Sequence, residues 1–81
     1  MNAPDRALTD LPIGLVVDDE VRSQDAMRRT LDEDFQVLTA GSADDARRVL
    51  ERQAGVSVIL CDQRMPGLTG VEFLKEVRER W

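Results

Sequence analysis

Two short apolar runs, each stopping at aspartate, constrain this chain more than any other feature. Ile13-Gly14-Leu15-Val16-Val17 runs into Asp18-Asp19-Glu20, and Val56-Ser57-Val58-Ile59-Leu60-Cys61 runs into Asp62. A nearly uninterrupted aliphatic run of this length is how a strand covered on both faces reads, because a half-exposed strand alternates with polar residues. Both runs therefore predict central strands of a sheet sandwiched by helices, with carboxylates at their C-terminal ends.

The stretches between them carry helical signals. Residues 21 to about 32 form a first helix, with Ser23, Ala26, Met27, Thr30 and Leu31 at the spacing of an inward face. A second strand is expected over residues 35–40, followed by a turn at Gly41-Ser42. Ser42 suits a helix N-cap, and Asp44 and Asp45 in the first turn complement the helix dipole. Ala43, Ala46, Val49 and Leu50 give that second helix its apolar stripe, with Arg47, Arg48 and Arg52 facing mostly outward and Gly55 ending it. After Asp62, the Pro66-Gly67 pair marks a loop, and Thr69-Gly70-Val71-Glu72 is a capping box opening a third helix that runs to Trp81. Val71, Leu74, Val77 and Trp81 are the expected core stripe of that helix. The order βαβαβα implies parallel strands joined by right-handed crossovers, the α/β class.

Charge and cysteine content narrow the setting. With 11 basic and 16 acidic residues, net −5, the segment offers no electrostatic footprint for nucleic acid or an anionic membrane. The single cysteine, Cys61, has no partner for an intramolecular disulfide and reads as a small buried hydrophobe. Residues 1–11 lack a signal peptide's basic start and apolar core, and no apolar run approaches the roughly 20 residues that span a bilayer. A cytoplasmic location is expected. Residues 1–12, with Pro4 and Pro12, read as a loosely packed leader, and the domain proper as residues 13–81.

In an open parallel sheet, ligands gather beyond the C-terminal strand ends. If the first and third strands are neighbours, Asp18, Asp19 and Asp62 converge, and three like charges at close range require a cation or raised pKa values. Magnesium suits such a hard oxygen site. Beside it, a carboxylate can attack phosphorus and form an acyl phosphate. The bland alternatives are that Asp18-Asp19-Glu20 merely opens a helix and that Asp62 merely precedes a turn. Both must hold together to escape the convergence.

Val16-Val17-Asp18-Asp19-Glu20 resembles the acidic motif of two-component response-regulator receiver domains. The run Asp62-Gln63-Arg64-Met65-Pro66-Gly67-Leu68-Thr69-Gly70-Val71-Glu72-Phe73-Leu74 resembles their phosphoacceptor loop and third helix. The likeness spans about residues 13 to 81. It implies a CheY-like, flavodoxin-like receiver fold with parallel strands in the order 2-1-3, strands four and five being absent. It further implies Asp62 as phosphoacceptor, Asp19 as a direct Mg2+ ligand, Asp18 as a ligand through water, the backbone carbonyl of Arg64 as another, and a sensor histidine kinase or phosphotransfer protein as donor. Such a module is a signalling domain and not an enzyme beyond its own phosphoryl transfer and hydrolysis. The wording around Arg64-Met65-Pro66 and residues 70–81 resembles receivers joined to cyclic-dinucleotide phosphodiesterase outputs, with DNA-binding outputs left open.

The family's Ser or Thr on strand four and Lys on strand five have no counterpart here, since the only lysine, Lys75, lies on a helix. With order 2-1-3 the third strand becomes an apolar edge, which predicts a homodimer formed through it. A second reading follows: a dimerisation or protein-interaction fragment without a working switch. A haloacid-dehalogenase-type phosphatase would want Asp-x-Asp, and Asp62-Gln63-Arg64 does not supply it.

Overall fold

The computed structural model describes residues 11–81; the leader expected over 1–12 falls outside them but for Leu11 and Pro12. Six elements follow in order: β1 (Ile13–Val17), α1 (Val21–Leu31), β2 (Gln36–Ala40), α2 (Ala43–Arg52), β3 (Val56–Cys61) and α3 (Gly70–Arg80). β1 lies between the other two strands, in the order β2-β1-β3, with both pairings parallel. This is an α/β open sheet with the topology expected of the receiver fold. Leu11 is buried and its carbonyl accepts a hydrogen bond from the Gln36 side chain, so packing begins just ahead of β1. Among the described residues no helix is long and apolar enough to cross a membrane.

Strand parity decides which helix covers which residue. Leu15 and Val17 join Leu38 and Ala40 on one face, beneath Ala46 and Leu50 of α2 and Phe73 of α3. Val16 is equally buried but stands apart from that cluster, on the face that α1 covers. In β3 the alternation is broken by a register shift: Ile13 pairs with Val56 while Gly14 pairs with Val58, leaving Ser57 bulged. The bulge changes the parity of the strand, and this is why Val56, Ile59 and Cys61 all face the α2–α3 core.

Several helix faces differ from expectation. In α3 the buried positions are Gly70 and Phe73, with Val77 packed against them, while Val71, Leu74 and Trp81 are exposed. The face that meets the sheet is the one carrying Gly70, Phe73 and Val77, and burying the Phe73 ring there removes a large apolar area from water. In α1 no residue is buried; Ser23, Met27 and Leu31 are half-covered, but Ala26 and Thr30 are exposed. Arg47 does not face outward. Its guanidinium forks onto Glu76 of α3, one of the two bonds at 2.8 Å, and also reaches Asp44. Phe35 stays outside β2, its ring against the backbone of Gly14.

Candidate functional site

The rim is assembled by continuing both strand ladders one residue past their ends. The Asp18 N–H donates to the Ala40 carbonyl at 3.0 Å, and the Asp62 N–H donates to the Val17 carbonyl at 2.8 Å. These bonds hold the two aspartates side by side at the C-terminal edge of the sheet. Carboxylate oxygens of Asp18, Asp19 and Asp62 lie within 4.8 Å of one another. Asp18 is buried, Asp62 half-buried and Asp19 exposed.

Each aspartate is held differently. One oxygen of Asp18 accepts the Glu20 N–H at 2.9 Å, so the side chain closes the turn into α1. Asp62 accepts the Arg64 N–H at 3.2 Å, which ties the carboxylate to the loop that follows it. The Asp19 side chain makes no hydrogen bond among the described residues, and none of the three is in an ion pair there. Three carboxylates at this spacing, unneutralised by any described side chain, form an all-oxygen donor set that fits a small hard divalent cation.

The loop after Asp62 is built for close approach. Met65 is buried in the core, and Pro66 followed by Gly67 at φ +79° gives the type II pattern, closed by the Leu68 N–H on the Met65 carbonyl at 3.4 Å. Thr69 and Glu72 form the expected capping box. Gly70 is required by contact rather than by φ: a Cβ there would lie 2.7 Å from the Asp62 carbonyl oxygen and 3.0 Å from the Cα of Gln63. The first turn of α3 therefore rests directly on the backbone of Asp62.

Two glutamines complete this rim, and neither stood out in the sequence. The Gln63 side-chain oxygen accepts the Val71 N–H at 3.0 Å, capping a second donor of α3. Counting the orphan N–H groups of that first turn is the signal that points to such an acceptor. Gln24 donates to the carbonyls of both Asp18 and Ala40, at 3.1 and 3.2 Å. No local pattern announces that bond, since Ala40 lies sixteen residues away. Cys61, half-buried beside Asp62, has its thiol pushed up to about 11 by burial and by the neighbouring aspartates, so it stays protonated.

A parallel sheet in the order 2-1-3 with an acidic trio at its C-terminal rim is the arrangement expected of the receiver class. Consistent with this, the family model of the response regulator receiver domain matches residues 15–81, and the chain belongs to that family. It is 82% identical over 67 residues to the hydrogenase transcriptional regulatory protein HoxA of Cupriavidus necator, covering 83% of this chain and 14% of that one. The HoxA protein of Bradyrhizobium diazoefficiens is 64% identical over the same share of each. Among solved structures, a response regulator receiver domain protein from Clostridium thermocellum superposes with a TM-score of 0.79 at 31% identity, covering 85% of this chain and 56% of that one. The chain thus spans about one-seventh of the length of these curated relatives, 14%.

Proposed function

We propose that this chain is the phosphoacceptor segment of a transcriptional response regulator of the HoxA kind, taking a phosphoryl group from a histidine kinase or phosphotransfer protein onto Asp62. The observation that carries the reading is the meeting of the Asp18, Asp19 and Asp62 carboxylates within 4.8 Å at one rim. A carboxylate oxygen of Asp62 attacks phosphorus, the phosphorus–nitrogen bond of the donor imidazole breaks, and an acyl phosphate results. Mg2+, when bound, offsets the negative charge of the transferring group. Asp19 and Asp62 would hold it directly, Asp18 through water, and the backbone carbonyl of Arg64 would complete the protein's share. The buried Asp18, fixed by Glu20, keeps the pocket's negative charge in place.

The likeness to HoxA favours a transcriptional output over a phosphodiesterase one, with DNA contact made outside this acidic segment. The family's hydroxyl and lysine contacts to the phosphoryl group also fall outside it. A cytoplasmic setting belongs to the same reading.

Incubation with Mg2+ and acetyl phosphate is expected to add one phosphoryl mass, lost in Asp62→Asn. No adduct on the parent chain would sink the proposal.

One observation favours a second, compatible reading. Among the described residues β3 pairs on one side only, and Leu60 at its edge is 37% exposed. Such an edge is open to pairing with a second copy. Sedimentation at rising concentration is expected to show a dimer, and a cooperatively folded monomer at all concentrations rejects it.

A further inference from the structure

We infer that Gln24 is a positioning residue for the acidic pocket: its carboxamide fixes the peptide plane that carries Asp19. The inference rests on the reading of the pocket as a Mg2+ site. Both contacts of the side chain are backbone carbonyl oxygens, Asp18 at 3.1 Å and Ala40 at 3.2 Å. Two acceptors demand the NH2 end of the amide, because the opposite orientation would set oxygen against oxygen. The Ala40 carbonyl also receives the Asp18 N–H at 3.0 Å. Gln24 thus clamps the ends of β1 and β2 to the first turns of α1.

The consequence falls on Asp19. A peptide unit is planar, so holding the Asp18 carbonyl holds the Asp19 nitrogen and, with it, the Asp19 Cα. Asp18 has other restraints: its N–H sits in the ladder and its carboxylate accepts from Glu20. The Asp19 side chain, exposed and without a hydrogen bond among the described residues, has only its backbone to aim it. Outer groups that orient metal ligands typically change affinity about 10–100-fold when removed.

The test is a calorimetric Mg2+ titration of the folded chain. Gln24→Met keeps the length and apolar stem but has no donor, and is expected to weaken Mg2+ binding about 10-fold. Met27→Ala, on the same helix but without a bond to the rim, is the control; it loosens α1 and is expected to leave Mg2+ affinity unchanged. Should Gln24→Met fail to fold, Gln24→Ala carries the same expectation. Equal Mg2+ affinity in parent and Gln24 variant overturns the inference while leaving the pocket's function standing, and so does equal weakening by Met27→Ala. A parent chain that binds no Mg2+ removes both.

Discussion

The face of the sheet under α2 and α3 is sealed: Leu15 and Val17 lie beneath Ala46 and Phe73, and these four are at most 1% exposed. The face under α1 is held otherwise, by a helix with no buried residue and a glutamine bonded to strand-end carbonyls. The first face holds the larger buried apolar cluster, whereas the second buries Val16 and adds the Gln24 bonds at the rim. Both faces meet at β1, whose end carries Asp18 and Asp19.

The sharpest way to break that contrast is to empty the sealed side. Phe73→Ala is expected to cost about 3–5 kcal/mol, a large part of what a small domain possesses, read as a collapse of the urea midpoint. Gly70→Ala comes next. A methyl 2.7 Å from the Asp62 carbonyl forces backbone apart, an overpacking cost of about 1–3 kcal/mol. Amide shifts of Asp62 and Gln63 are expected to move with it. On the open side, Met27→Ala should cost only about 1 kcal/mol. A loss there equal to that of Phe73→Ala would show the two faces to be energetically alike.

The smallest effect concerns the α2–α3 clasp. The bonds from Arg47 hold the Glu76 carboxyl below its ordinary value of 4.5. A depressed carboxyl stabilises the fold above the unfolded-state value, and that contribution fades as pH falls through the lower folded value. The parent should therefore lose stability relative to Glu76→Gln below about pH 4, measured as urea midpoint against pH. Parallel curves for the two proteins would remove the clasp from the account.

The residues that were legible in the sequence are those whose neighbours in the chain give them meaning. The β1 and β3 runs end in aspartate, Ser42 accepts the Asp45 N–H as an N-cap, and Thr69-x-x-Glu72 closes as a capping box, all from local pattern. The convergence of Asp18, Asp19 and Asp62 needed only strand adjacency in addition. What escaped depends on distant partners. Arg47 reads as a solvated cation until Glu76, twenty-nine residues on, is placed beside it. Of the expected α3 stripe only Val77 packs on the core, because Val71, Leu74 and Trp81 share helical spacing with one another as fully as Phe73 does with Val77. Only the tertiary placement of α3 on the sheet decides between them. The bulge at Ser57 has no residue signature at all, since Val56 and Val58 look alike until β1 sets their register.

The contact of Gly70 with Asp62 has a mechanical reach. No side chain cushions it, so the loop and the start of the helix are geared together. An eleven-residue helix is about 16 Å long, and a tilt of about 4° at the loop end swings the far end by about 1 Å. At that far end stands Trp81, the one tryptophan of the chain, half open to water and with Arg80 stacked 4.4 Å over its ring. A displacement of the Asp62 backbone is therefore expected to reach the surroundings of this indole, and a change in its emission on phosphorylation is the measurement that checks it.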